Sequence, residues 1–190
     1  MKDTSDQTPL SWAVKERNEE VVKLLLAEQG VDPDLIDKDG RTPLSLAAER
    51  GDEAVVELLL AAEGVNPESR DKDGRTPLSW AAQWSPFRLF SFWSRRGTAK
   101  LLLAVDRIDP NSKDAAGRTP LSWAAKERNE EMVKLLLAKQ GVDLDLIDKD
   151  GRTPLSLAAE QGSEGIVKLL LAADGVNPES KDKDSRTPLS

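Results

Sequence analysis

The sequence predicts an all-α solenoid of stacked helix-turn-helix units. Thr-Pro-Leu occurs six times, starting at Thr8, Thr42, Thr76, Thr119, Thr153 and Thr187, with successive spacings of 34, 34, 43, 34 and 34 residues. An Asp opens the turn before each occurrence, at Asp3, Asp37, Asp71, Asp114, Asp148 and Asp182. Behind each Thr-Pro-Leu the apolar residues recur at helical spacing. A fixed interval of this length suits a stack, because each unit buries its apolar face only against its neighbours.

Residues 37–70 serve as the type unit. Asp37-Lys38-Asp39-Gly40 is turn chemistry, with Asp side chains able to bond nearby backbone and Gly free to take positive φ. Thr42 then Pro43 reads as the N-cap and first position of a helix, where proline gives up no needed N–H. Leu44, Ala47 and Ala48 form the apolar stripe of a short helix ending near Gly51, and the small alanines permit close approach. Asp52 caps a second helix whose Val55, Val56, Leu58, Leu59 and Leu60 give a broad buried face. Gly64 ends it, and Val65-Asn66-Pro67 leads out in an extended segment.

Composition bounds the chemistry. Of 190 residues, 32% are charged and 4% aromatic, with no His, Tyr or Cys. Absent Cys excludes a disulfide framework and fits an intracellular, reducing compartment, cytoplasmic or nuclear rather than secreted. Without His or Cys the usual zinc sites and His-based acid–base mechanisms fall away. A net charge of −7 disfavours nucleic acid and anionic membrane as partners. Neither an apolar signal region nor a run near the ~20 residues of a membrane span is present. Asp37-Lys38-Asp39-Gly40 has a passing likeness to a calcium loop, but its first and last ligand positions fall on Leu35 and Leu46. There is no phosphate loop or nucleophile elbow. The expectation is no catalytic residue, no cofactor and no metal.

The unit resembles the ankyrin repeat. The family pattern D-x-x-G-x-T-P-L-H-x-A-A-x-x-G-x-x-x-V-V-x-L-L-L is met almost throughout 37–60, and the likeness extends over nearly the whole chain. In that register one domain, 1–190, contains units 3–36, 37–70, 71–113, 114–147 and 148–181 with a stub at 182–190, which is expected to fray. The resemblance implies helix pairs side by side, β-hairpin-like fingers projecting from one edge, and a concave face that binds proteins. Departures stand beside it. The family's His is Ser in every unit (Ser11, Ser45, Ser79, Ser122, Ser156, Ser190), which removes a tie between neighbours worth ~1 kcal/mol. The Gly between the two helices is Arg17 in unit one and Arg128 in unit four, costing about 1 kcal/mol where that position is left-handed. The Thr-Pro-Leu-Ser-Trp-Ala-Ala variant is similar to arrays in fungal NACHT-type multidomain NTPases.

A longer repeat lies behind the short one. Residues 8–79 match 119–190 without gaps, with 12 differences in 72 positions. A three-unit block was copied, so units one and four, and two and five, are expected to present nearly the same groups. Unit three occurs once, and partner specificity is expected to concentrate there.

Family contact positions map onto finger tips and first-helix ends. The candidates are Lys38, Asp39, Arg41, Glu49 and Arg50; Lys72, Asp73 and Arg75; Arg118, Lys126 and Glu127; and Lys149, Asp150 and Arg152. Their mixed charge suits a partner of mixed charge. The plainer alternative is a solvated surface with Asp–Arg pairs between fingers, each worth ~0–1 kcal/mol. Unit three adds nine residues near 85–94 that hold every Phe of the chain. Trp84, Phe87, Arg88, Phe90, Phe92 and Trp93 are candidates there, since aromatic and Arg side chains dominate interface energetics. A folded-back satellite core or a foreign segment are the competing readings. The same region puts Thr98-Ala99 where the second helix is expected to carry Val-Val, weakening that helix. Trp12, Trp80 and Trp123 occupy the slot of Leu46 and Leu157 and are expected to pack between units.

These features point to a non-catalytic protein-binding array. The alternative is a regulatory or sensor segment of a larger NACHT-type NTPase. Unit one carries Val21, Val22 and Leu24 where a capping unit would carry charge, and Ser190 falls within a helix. That pattern is expected of a fragment, or of a monomer whose uncapped ends can self-associate.

Overall fold

The computed structural model describes residues 6–83 and 94–188. These residues form ten helices and no strand. They fall into two compact units, 6–81 with 94–108, and 82–83 with 109–188.

The first holds α1 (Pro9–Lys15), α2 (Glu19–Ala27), α3 (Pro43–Arg50), α4 (Glu53–Ala61), α5 (Pro77–Ala82, all but its last residue) and α6 (Ser94–Leu103). Within it α1 packs on α2 and α3, α3 on α4, and α4 on α2 and α6. The second holds α7 (Pro120–Lys126), α8 (Glu130–Leu137), α9 (Pro154–Glu160) and α10 (Glu164–Leu171), with α7 against α8 and α9, and α10 against both α8 and α9. Each unit therefore repeats one packing step: first helix on first helix, second on second.

Local chemistry starts every first helix in the same way. The Thr42 Oγ1 accepts the N–H of Ser45 at 3.2 Å and meets the Ser45 hydroxyl at 3.2 Å. Thr8–Ser11, Thr119–Ser122 and Thr153–Ser156 repeat it. The serine that stands at the family's His position thus completes the cap of its own helix. Ties between neighbouring fingers run through backbone instead: Lys72 N–H to the Asp39 carbonyl at 3.0 Å, Lys149 to Ala116 at 2.9 Å, and Lys183 to Asp150 at 3.0 Å.

The core is aliphatic. Leu44, Leu46, Ala47, Ala48, Val55, Val56 and Leu59 are buried in the first unit, and Leu121, Leu136, Leu155, Leu157, Ile166 and Leu170 in the second. Burying each Leu or Ile contributes about 1.5–3 kcal/mol. In α6 the Thr98 hydroxyl is buried without a hydrogen-bond partner among the described residues.

Both arginines that replace the inter-helix glycine lie in the left-handed region, Arg17 at φ 56° and Arg128 at φ 61°, beside Gly51 at 69° and Gly162 at 63°. Each reaches the following second helix at its cap. Arg17 Nε donates to Asp52 Oδ2 at 3.2 Å, and Arg128 Nε to Ser163 Oγ at 3.2 Å.

The sixth finger is formed. Asp182 N–H bonds the Arg186 carbonyl at 3.0 Å, as in the earlier fingers; residues 189 and 190 lie outside the described residues.

Candidate functional site

Fingers two to five are each a turn closed on a buried Asp. Asp37 Oδ1 accepts the N–H groups of Asp39 at 2.9 Å and Arg41 at 3.0 Å. The Asp37 N–H itself donates to the Arg41 carbonyl at 3.0 Å. Gly40 at φ 78° makes the tight turn, and a Cβ there would lie 3.0 Å from the Lys72 nitrogen of the next finger. Only glycine satisfies both demands at once.

Three of the finger arginines that are candidates for partner contact, Arg41, Arg75 and Arg152, are tied down internally. Arg41 bonds Asp37, Asp39 and Glu49 at 3.0, 3.4 and 3.2 Å. Arg75 bonds Asp71 at 2.9 Å and Asp73 at 2.6 Å. Arg152 bonds Asp148, Asp150 and Glu160 at 2.9, 2.8 and 3.3 Å. The Asp–Arg pairs are thus made within a finger rather than between fingers, Arg118 excepted. Burial pushes the Asp37 and Asp148 carboxyls up. The backbone N–H groups and the arginine beside each outweigh it and hold both below the ordinary 3.8.

The tips project. Lys38, Asp39, Lys72, Asp73, Lys149 and Asp150 are exposed, as is Arg50. Glu49, Lys126 and Glu127 are half-buried at the ends of α3 and α7. Trp84, Phe87, Arg88, Phe90, Phe92 and Trp93 lie outside the described residues.

The tryptophans are less buried than the leucines of the same slot. Leu46 and Leu157 are buried, whereas Trp12 is 48% exposed and Trp80 and Trp123 are half-buried. An indole is too large for the slot that takes Leu, so its edge turns to the finger. Trp80 Nε1 donates to Asp71 Oδ2 at 3.1 Å, and Trp123 Nε1 to Asp114 Oδ2 at 2.8 Å. The Arg75 guanidinium lies 4.0 Å from the Trp80 ring centroid, worth ~0.5–1 kcal/mol at a partly exposed site. Trp123 faces two cations, Arg118 at 4.8 Å and Lys126 Nζ at 5.0 Å. Sequence periodicity assigns the tryptophans to packing; the signal for a surface role is the Asp nine residues earlier together with the Arg five residues earlier.

Two clefts open beside the fingers. One of about 250 Å³ is lined by Asp39, Arg41, Lys72, Asp73, Arg75 and Trp80. The other, of about 200 Å³, includes Arg152, Ser156, Glu160, Asp182 and Arg186. Both are smaller than the ~300–1,000 Å³ of small-molecule pockets, and most of the side chains that line them are polar or charged. Among the described residues no group of three or more acidic side chains is placed to hold a metal ion, and no helix is long and apolar enough to cross a membrane.

A family model described as ankyrin repeats (3 copies) matches residues 10–114 and 90–182. A search of curated proteins finds no match. Among 562 matching solved chains is the crystal structure of the ankyrin repeat domain of Bcl-3, a member of the IkappaB protein family. It is 28% identical, with a TM-score of 0.84 over 100% of this chain and 79% of that one.

Proposed function

Because the chain belongs to the ankyrin-repeat family, whose units are generally protein-interaction modules, we propose that it is a non-catalytic scaffold gripping a protein partner through finger tips and inner helix ends. The observation that carries this reading is the division of labour within fingers two, three and five. The Asp37–Arg41, Asp71–Arg75 and Asp148–Arg152 pairs fix the base, while Lys38, Lys72 and Lys149 stand exposed at the tips. A pre-ordered base reduces the entropy lost when the tips engage a partner. The net charge of −7 and the absence of Cys fit a protein partner in a reducing compartment better than nucleic acid.

The test is capture of partners by the intact protein against a Lys38→Ala, Lys72→Ala, Lys149→Ala triple variant of matched helicity. The reading expects at least about tenfold weaker retention of any specific partner, since each lost charged contact is worth about 1.5–3 kcal/mol. Equal retention overturns it.

A second reading, in which the array regulates another domain of a NACHT-type NTPase, is favoured by the outer surface of α2. Leu24 is 68% exposed and Val21 37%, whereas Met132, the counterpart of Val21, is buried. An apolar helix face of this kind suits packing against further protein.

A further inference from the structure

Finger four is chemically unlike the regular fingers. Fingers two, three and five read Asp-Lys-Asp-Gly-Arg, but finger four reads Asp114-Ala115-Ala116-Gly117-Arg118. Ala116 removes the tip carboxylate that Asp39, Asp73 and Asp150 supply to their arginines. Eight residues after the finger arginine, units two and five place Glu49 and Glu160 against it. Unit four places Lys126 there instead.

Arg118 is consequently left with little. Among the described residues its Nε is buried with no hydrogen-bond partner, and its one ion pair there is a 3.7 Å approach to Asp148. Asp148 is already engaged by Arg152 at 2.9 Å and by two backbone N–H groups. The carboxylate of Asp114 accepts the Trp123 indole and the N–H groups of Ala116 and Arg118. The guanidinium and the Lys126 ammonium both lie within 5.0 Å of the Trp123 centroid. No other described unit combines these groups: the matching triplets are Gln7/Trp12/Lys15, Arg41/Leu46/Glu49, Arg75/Trp80/Gln83 and Arg152/Leu157/Glu160.

We propose that Arg118, Lys126 and Trp123 form a carboxylate-recognising subsite that takes an Asp or Glu side chain from an acidic segment of the partner protein. The proposal rests on the protein-binding reading and deepens it. A guanidinium with free N–H groups accepts a carboxylate in fork geometry, Lys126 adds a second cation, and the indole face aligns both. An incoming carboxylate replaces what Asp39 and Glu49 give Arg41 in unit two. On a chain of net charge −7 this attraction acts at short range, so it selects a partner's register rather than steering its approach.

The test is NMR titration of the full chain with the peptide acetyl-Gly-Glu-Glu-Gly-amide, and with its Gln and phosphoserine counterparts. The Glu peptide is expected to give saturable shifts at the Trp123 indole N–H and Arg118 Nε–H, with Trp80 and Arg75 unmoved. Binding falls about tenfold in Arg118→Gln, as expected for loss of a charged hydrogen bond. Ala116→Asp with Lys126→Glu gives finger four the groups of fingers two and five, and abolishes binding without removing Arg118. Absence of saturable shifts, equal response to the Gln peptide, binding of the phosphoserine peptide alone, or a doubly substituted chain that still binds overturns the assignment. A chain that loses its partner in the triple lysine variant yet ignores the Glu peptide refutes the subsite and leaves the broader reading standing.

Discussion

Arg17 Nε donates to Asp52 Oδ2 at 3.2 Å, joining a left-handed residue to the cap of the next unit's second helix. The strain of a non-glycine residue at φ 56°, about 1 kcal/mol, is set against an exposed ion pair worth ~0–1 kcal/mol. Arg17→Gly removes both and is expected to change stability by less than about 1 kcal/mol. Arg17→Ala keeps the strain and loses the bond, so it falls below both. Chemical denaturation of the three proteins checks that order.

The counterpart pair is less well made. Asp52 has two oxygens, one for Arg17 and one for the Val55 N–H at 3.4 Å. Ser163 has a single hydroxyl, which takes Arg128, and α10 is left without a side-chain cap bond. Ser163→Asp is expected to stabilise the protein by about 1 kcal/mol, the usual worth of an N-cap, read as a raised denaturation midpoint.

Two glycines separate backbone freedom from close approach. Gly30 at φ 85° has nothing within 4 Å of an added Cβ, while Gly40 at φ 78° has the Lys72 nitrogen at 3.0 Å. Gly30→Ala is expected to cost about 1 kcal/mol from φ alone. Gly40→Ala costs more, because the finger-to-finger bond between Lys72 and Asp39 must shift. Equal losses in thermal denaturation contradict that account.

Acid sensitivity follows from Asp37 and Asp148. Their folded carboxyls titrate below the ordinary 3.8, so the stability they add is full above that value. It is lost as pH falls below 3.8 through the folded pKa. Asp37→Asn with Asp148→Asn is expected to flatten the stability–pH profile in that window while lowering stability at neutral pH. Urea denaturation from pH 2 to 7 reads both effects.

The local parts of this fold are legible because their causes are local. Thr42-Pro43 caps α3 and Asp37 closes its own finger within five residues, so neither depends on tertiary context. The left-handed Arg17 and Arg128 follow from register against Gly51 and Gly162. The tryptophans are not legible in this way: the slot that buries Leu46 cannot hold an indole, and only the packed geometry shows Trp123 turned toward Arg118. Block duplication also hides unit four. The match of 8–79 to 119–190 begins one residue after Gln7 and Arg118, so the cation that distinguishes unit four from unit one lies just outside it.

The interaction face is tested most directly by amide hydrogen exchange on the chain alone and bound to a captured partner. Added protection is expected at the fingers, 38–41, 72–75, 115–118 and 149–152, and at the ends of α3 and α7. Protection confined to the second helices α2, α4, α8 and α10, with the fingers unchanged, contradicts the account.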